Sequence, residues 1–313
     1  MVKRAIVLAL ALALPGPTLA QTSPLIRIGA GPDDTSMPVI YAASAGLFQK
    51  AGLNVELDKL AGAAAVTAAL AGGSLEIGKA SALSVVTAHA KGVPLTIIGS
   101  IATYSSTDPD FGLIVMADSP IKTAADLPGK VLAAVSLQDM STVATYAWLD
   151  QRGVDPTTLK FVEMPASATL AAMEQGRVVG STIYEPMLSA ATATGKVRVI
   201  GQPYDAIGKH FAGGVLIANP SWVADHRDLV DRFLRVMRQA GNYVAGHEDE
   251  MGPILAAYIG VDPATIMKTH HEGRQVTITP AGLQPVIDAA AKYHVIAKPF
   301  PASELICSCA LAR

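Results

Sequence analysis

The feature that most constrains the fold is a repeated alternation of short apolar strands with helical segments. Strand patterns lie at 25–28, 53–57, 95–101, 130–135, 161–164, 181–183 and 197–200. Helical patterns lie between them, and several end at a glycine. Strands that alternate with helices in this way predict βαβ units and mainly parallel sheets flanked by helices.

The units fall into two sets, joined by an apolar link at 113–116 and by a return link at 213–218. The chain of 313 residues also exceeds the roughly 250–300 residues at which single cores stop growing. We therefore predict an α/β fold of two lobes, with two mainly parallel sheets joined by a two-strand hinge. Residues 21–115 and 214–313 form lobe 1 and residues 116–213 form lobe 2. A ligand is expected in the cleft, where strand ends and helix N-termini converge.

Residues 1–20 are predicted to be a cleavable signal peptide. Lys3 and Arg4 precede an unbroken apolar run at 5–14, and small residues lead to Ala20. A membrane anchor is the alternative, but a span needs about 20 apolar residues and this run is shorter. The mature chain is therefore expected in the periplasm.

The overall charge is close to neutral, with 24 Lys and Arg against 26 Asp and Glu, and no basic cluster appears. A nucleic-acid partner is therefore not expected. Only two cysteines occur, Cys307 and Cys309, and we assign them no essential role. The sequence His270-His271-Glu272 invites a metal interpretation, but adjacent side chains point in different directions. We predict no metal, no cofactor and no catalytic residue.

One stretch, 62–81, offers two places where small ligands bind in open α/β sheets. It is predicted to be an alanine-rich helix, a brief strand at Glu76-Ile77 and then a small-residue turn. The accessible backbone of Gly62, Ala63 and Ala64 is a candidate for ligand contact, with tight helix packing as the alternative. Ser81 and Ala82, at the strand end, are further candidates.

Other candidate residues follow the remaining strand ends, and each has a structural alternative. The loop residues Asp34, Thr35 and Ser36 could contact ligand, or Ser36 could serve only as a helix cap. Tyr104 and Tyr184 could stack on an organic solute or simply pack in the wall. The remaining candidates, in lobe 2, are Gln138, Asp139, Ser141 and Glu185. Ser141 or Thr142 is also the expected N-cap of the next helix, and Glu185 would suit a helix start through its charge.

The order of several motifs resembles that of the nitrate/sulfonate/taurine-type substrate-binding proteins of ABC importers. They are Pro38…Gly46-Leu47-Phe48…Ala51-Gly52-Leu53-Asn54-Val55-Glu56-Leu57, Gly62…Ala69-Leu70…Gly73…Glu76-Ile77-Gly78, Gly92-Val93-Pro94-Leu95, 121–130 and Gly176-Arg177-Val178…Glu185-Pro186. Relatives usually carry Asp where this chain has Glu76. The resemblance covers nearly all of the mature chain.

This resemblance implies the type II periplasmic-binding fold and a monomer that delivers a small solute to an inner-membrane permease. Asp33, Asp34, Asp139 and Glu185 lie near the predicted ligand loops, where Lys79 is the only nearby cation. An acidic cleft favours a cationic or neutral, hydrogen-bonding solute over a bare sulfonate or nitrate. Helix N-termini can hold an anion without any Arg, so the solute stays open among sulfonate-like, pyrimidine-like and aromatic compounds.

Two alternatives share the fold. Some relatives are enzymes that synthesise the thiamine pyrimidine with a Cys-rich motif, which Cys307-Ser308-Cys309 faintly resembles. The signal peptide and the tail position of the cysteines speak against this. A periplasmic ligand sensor would use the same cleft.

Overall fold

The computed structural model describes residues 23–31, 34–60, 62–137, 139–185, 187–260, 263 and 276–311. The predicted signal peptide, Gln138 and His270-His271-Glu272 lie outside these ranges. Within them, no helix combines the length and the apolar character that a membrane span requires.

The secondary structure alternates as the sequence predicts. The strands are β1 (Leu25–Gly29), β2 (Asn54–Asp58), β3 (Ile77–Ser81), β4 (Thr96–Ser105), β5 (Phe111–Met116), β6 (Val131–Ala134), β7 (Lys160–Glu163), β8 (Gly180–Tyr184), β9 (Val197–Gly201) and β10 (His210–Ala218). The helices are α1 (Met37–Ser44), α2 (Leu47–Lys50), α3 (Ala63–Ala71), α4 (Ala82–Ala90), α5 (Met140–Asp150), α6 (Ala166–Glu174), α7 (Met187–Ala193), α8 (Pro220–Asp225), α9 (Arg227–Gly246), α10 (Glu248–Ile259) and α11 (Pro280–Lys292).

The strands form two five-stranded sheets with matching topology. The first sheet has the order β2-β1-β3-β10-β4, and the second has β7-β6-β8-β5-β9. In each sheet four strands run in one direction, and the fifth, β10 or β5, is antiparallel to both of its neighbours. The predicted architecture of two mainly parallel sheets is confirmed, and the antiparallel strands are those that follow each passage between the sheets.

The chain passes between the sheets at residues 106–110 and returns at 202–209. β5 lies wholly in the second sheet and β10 wholly in the first. Both passages therefore precede the predicted lobe boundaries, after residues 115 and 213. We call these two stretches the crossing segments.

Helix ends follow the expected local chemistry at several places. Thr279 caps α11, its hydroxyl accepting a hydrogen bond from the Gly282 amide at 3.1 Å.

α9 buries the predicted apolar face, which includes Leu229, Phe233, Met237, Ala240 and Val244. Burial of such a face against a sheet removes apolar surface from water, which is the main driving force for the fold.

Three local predictions were wrong. Gly78 to Ser81 is not a turn but the body of β3, between β1 and β10. The predicted helix between Ser36 and Gly52 is interrupted at 45–46, where Gly46 has a left-handed backbone with φ +66°. Neither Ser141 nor Thr142 caps α5, because Asp139 holds that position and accepts a hydrogen bond from the Ser141 amide at 2.8 Å.

Candidate functional site

A cavity of about 200 Å³ lies where the carboxyl ends of the two sheets face each other. Its lining comes from both sheets and from the crossing segments: Thr35, Lys79, Ala80, Ser81, Ala102, Tyr104, Asp110, Asp139, Met140, Tyr184, Tyr204, Gly213 and Gly214. Strand ends are where ligands bind in α/β folds, because the chain turns there and leaves polar groups accessible. The cavity is therefore the candidate site.

The first-sheet side of the cavity carries hydrogen-bond donors. Lys79 projects from β3, and its ammonium donates to the hydroxyl of Thr35 in the loop after β1. Ser81 ends β3 and caps α4, its hydroxyl oxygen accepting from the Ser84 amide at 3.2 Å. The Ser81 and Ser84 hydroxyls also lie 2.7 Å apart. Lys79 lines the cavity, so its side chain faces the cleft, which the sequence alone did not determine.

The second-sheet side carries a hydrogen-bonded chain that ends on a carboxylate. The Tyr184 hydroxyl donates to Oδ1 of Asp139 at 2.6 Å. The Tyr204 hydroxyl lies 2.7 Å from that of Tyr184. Because Tyr184 has a single hydroxyl hydrogen and donates it to Asp139, Tyr204 must be the donor to Tyr184. Both hydroxyl hydrogens therefore point along the chain toward Asp139.

The hydroxyl groups of the three tyrosines that line the cavity, Tyr104, Tyr184 and Tyr204, stay protonated. Burial raises the pKa of Tyr184 well above its usual value, and the negative charge of Asp139 raises it further. Burial also raises the pKa of Tyr204, together with the charges of its neighbours. The pKa of Tyr104 is raised by burial and by the hydrogen bond that its hydroxyl donates to Asp205 at 2.9 Å. Each shift disfavours the charged phenolate in an apolar site.

Five aromatic rings pack at the crossing segments, and we call them the aromatic cluster: Tyr104, Phe111, Tyr184, Tyr204 and Phe211. Phe111 and Tyr204 stack with ring centroids 4.2 Å apart, and Tyr104 lies 5.2 Å from Phe211. Such contacts contribute about 0.5–1.5 kcal/mol each beyond the burial of area. The cluster joins the two sheets and forms the floor of the cavity.

Asp110 brings a second carboxylate to the cavity. It immediately precedes β5 and is 4% exposed. Its carbonyl oxygen accepts a hydrogen bond from the Glu185 amide at 2.9 Å, which ties the first crossing segment to the end of β8. Among the described lining residues the formal charges are thus two carboxylates and one ammonium.

Of the fourteen predicted ligand residues, five line the cavity: Thr35, Ser81, Tyr104, Asp139 and Tyr184. Ser36, Ser141 and Ala82 are buried in the fold, and Gly62 and Ala64 are exposed outside the lining. The Glu185 carboxylate accepts from the amide and hydroxyl of Ser189, so it caps α7 instead. Asp34 and Ala63 lie in described elements, but no side-chain position is described for them, and Gln138 lies outside the described residues. Ligand contact remains a prediction for all fourteen residues.

Tyr204 and Asp110 were missed by the sequence analysis. Tyr204 lies on a 3₁₀ turn, Pro203–Ala206, in the second crossing segment, and Asp110 lies in the first. The signal that could have found them is topological: any polar or aromatic residue next to a predicted crossing lies close to the cleft.

The two cysteines lie away from the cavity. Cys307 and Cys309 form a disulfide, and the Cys307 amide donates to the carbonyl oxygen of Ile97 at 2.9 Å. Ile97 is near the start of β4, whereas the cavity residues Ala102 and Tyr104 are near its end. No cluster of three or more metal-ligating side chains occurs in the part of the chain that the structure describes.

Residues 34–251 match the family model described as "NMT1/THI5 like". The match covers more than half of the chain. The chain belongs to the NMT1/THI5-like family. The matched range includes every strand except β1 and every lining residue of the cavity.

Two curated relatives of this NMT1/THI5-like protein have names that indicate different activities. It is 25% identical over 206 residues to an aliphatic sulfonates-binding protein of Escherichia coli K12, over 66% of this chain and 62% of that protein. The alignment thus spans less than two thirds of that relative. It is also 25% identical over 138 residues to the 4-amino-5-hydroxymethyl-2-methylpyrimidine phosphate synthase of Legionella pneumophila, over 42% of this chain and 40% of the enzyme.

A solved structure confirms the fold. The periplasmic aliphatic sulphonate binding protein SsuA from Escherichia coli superimposes with a TM-score of 0.75 at 21% identity, over 93% of this chain and 94% of that one. At this identity the likeness establishes the periplasmic-binding architecture that the sequence predicted.

Proposed function

We propose that this NMT1/THI5-like protein is the periplasmic solute-binding component of an ABC importer. The observation that carries the proposal is the cavity, which is lined by residues of both sheets at their facing carboxyl ends. Ligand there would contact both halves of the molecule at once. Rotation about the crossing segments would then close the halves on the solute, and the closed form would dock on a permease.

The names of several relatives support this proposal. The aliphatic sulfonates-binding protein and a taurine-binding periplasmic protein of Escherichia coli are both binding proteins. As part of the same proposal, the protein has two lobes, is exported by the predicted signal peptide, and acts as a monomer that does not catalyse a reaction. The lobe division follows the sheets, with the boundaries in the crossing segments.

An enzyme is the second candidate, because the pyrimidine phosphate synthase is also a relative. That hypothesis drew on the cysteine pair, and two observations weigh against it. The cysteines are bonded to each other, and they lie at the end of β4 that is remote from the cavity.

The binding test measures thermal unfolding of the mature chain in the presence of fractionated metabolites. A solute that binds only the folded state stabilises it, by about 2.7 kcal/mol at 100 times its Kd. We expect one fraction to raise Tm for the wild type and for Tyr146→Ala, whose ring lies outside the cavity, but not for Tyr184→Ala. A Tm rise that survives in Tyr184→Ala would place the binding elsewhere.

Two further measurements separate the roles. An importer subunit leaves its solute unchanged on prolonged incubation, and deletion of its gene abolishes uptake of that solute. Chemical conversion of the solute would indicate the enzyme. Normal uptake after deletion would indicate a sensor.

A further inference from the structure

We propose that the cavity selects a small solute that carries a protonated amine, and that Asp139 on the second-sheet side receives it. This inference rests on the proposed binding function and names the class of solute. The direction of the hydrogen bonds in the cavity, its charged groups and its volume point to this class of solute.

Three tyrosine hydroxyls and the Asp139 carboxylate present hydrogen-bond acceptors to the cavity, Tyr104 from the first sheet and Tyr184 and Asp139 from the second-sheet side. The hydroxyl hydrogens of Tyr204 and Tyr184 are directed along the chain to Asp139. That of Tyr104 is directed to Asp205. Each tyrosine therefore offers a ligand only the lone pairs of its oxygen, and Asp139 adds a carboxylate oxygen.

A ligand group that faces these hydroxyls and Asp139 must supply hydrogen-bond donors. A sulfonate or carboxylate has none, so it would meet lone pairs and negative charge in a desolvated site, where an unmet polar group is costly. An ammonium supplies three donors and a positive charge. A charge-assisted hydrogen bond is stronger than a neutral one. The tyrosine hydroxyls and Asp139 therefore favour a protonated amine over an anionic or uncharged group.

Asp139 is the residue best placed to receive the amine. Its Oδ1 is fixed by the Ser141 amide at 2.8 Å and by the Tyr184 hydroxyl at 2.6 Å. Oδ2 accepts no hydrogen bond from any side chain or amide that the structure describes. A carboxylate held in place by one oxygen loses little conformational freedom when the other binds ligand.

The volume limits the size of the solute. The cavity measures about 200 Å³, and a water molecule occupies about 30 Å³ in the liquid. The space fits a compact molecule with one amine rather than a polyamine or a peptide. Lys79 on the first-sheet side places a positive charge at the other end of such a molecule.

The test identifies the solute instead of assuming it. The mature wild-type chain is incubated with a small-molecule extract and separated from unbound compounds, and the retained compound is then released and identified by mass spectrometry. We expect a compound with a basic amine. Its N-acetyl derivative, which lacks the charge, is expected to bind about 30-fold more weakly or worse, as for loss of one partner of a buried charge pair.

Asp139→Asn is the matched variant, because Asn is as good an N-cap as Asp and α5 keeps its start. It is expected to weaken binding of the identified amine by a similar factor, whereas Tyr146→Phe leaves binding unchanged. Equal binding by Asp139→Asn would overturn the role of Asp139. A retained solute without a basic amine would overturn the inference and leave the proposed function intact. If the wild type retains nothing, both proposals fail.

Discussion

The carboxylate of Asp150 lies 2.5 Å from the ammonium of Lys292 and joins the two halves of the molecule. Asp150 ends α5, which packs on the second-sheet side, and Lys292 ends α11, which packs against β10 of the first sheet. The Tyr293 hydroxyl donates to the same carboxylate oxygen at 3.0 Å. The closing motion proposed above therefore takes place with a polar contact already formed between α5 and α11.

Asp150→Asn is expected to loosen the two halves. The ion pair is exposed and will be screened by salt, so its effect should appear as a change in shape more than in stability. We expect small-angle X-ray scattering to give a larger radius of gyration for ligand-free Asp150→Asn than for the wild type at low ionic strength, and the difference should shrink as salt is added. Lys196→Gln, which breaks the Lys196–Glu174 pair, is the control. Equal radii at low salt would show that the pair does not restrain the halves.

Tyr204→Phe is expected to reduce the loss of stability in alkali. The raised pKa of Tyr184 and Tyr204 means that the folded state keeps both phenols protonated after the unfolded chain ionises at a pH of about 10. Their contribution to stability is thus complete below that pH and is lost as pH rises toward the folded-state pKa.

The measurement is urea unfolding between neutral pH and pH 11 or so, above the unfolded pKa of about 10. The wild type should lose stability more steeply in that interval than Tyr204→Phe does. The tyrosinate absorbance of the folded protein should also show fewer ionised residues than that of the unfolded chain. Identical slopes for wild type and variant would contradict the assignment.

Gly78→Ala is expected to destabilise the fold. A Cβ at Gly78 would overlap Cγ1 of Val66 and lie 3.2 Å from Cδ1 of Leu70, so α3 would have to move off β3. Overpacking of this kind typically costs about 1–3 kcal/mol. Urea unfolding should show the loss. Gly246→Ala, where no atom lies within 4 Å of the added carbon, should be neutral or slightly stabilising.

The same packing explains why the part of β3 from Gly78 to Ser81 was predicted as a turn. Gly78, Lys79, Ala80 and Ser81 have the composition of a turn, and strand propensity disfavours most of them. Small residues are needed there because α3 lies close over the strand, and tertiary packing outweighs local preference. By contrast, the alternation of strands and helices is a property of hydrophobic periodicity, so it could be predicted for both sheets.

The candidate site was predictable only in part, for a similar reason. Residues that follow a strand directly, such as Ser81 and Tyr184, can be assigned to the cleft from the strand pattern alone. Tyr204 reaches the cavity because the second crossing segment forms a 3₁₀ turn against α5, which depends on contacts far apart in sequence. Similarly, Glu185 has the right position but caps its own helix, a choice between partners that the sequence does not determine.

Glu76→Gln is expected to remove part of the acid sensitivity of the fold. Glu76 precedes β3, and its carboxylate accepts hydrogen bonds from the backbone amide of Arg27 at 2.7 Å and from the guanidinium at 2.6 and 3.1 Å. Burial alone would raise the pKa of Glu76, but these bonds and the charge of Arg27 outweigh it and lower the pKa. The contacts align β3 with β1.

The lowered pKa sets the direction of the effect. The unfolded carboxyl titrates near pH 4.3, so its contribution is present above that pH and is lost as pH falls through the folded-state value. Urea unfolding from pH 6 or so downward, starting above that unfolded pKa, should therefore show a shallower decline for Glu76→Gln than for the wild type, from a lower starting stability. A Glu76→Gln curve parallel to the wild type would mean that Arg27 does not stabilise the ionised carboxylate, and that β3 is aligned by its apolar contacts alone.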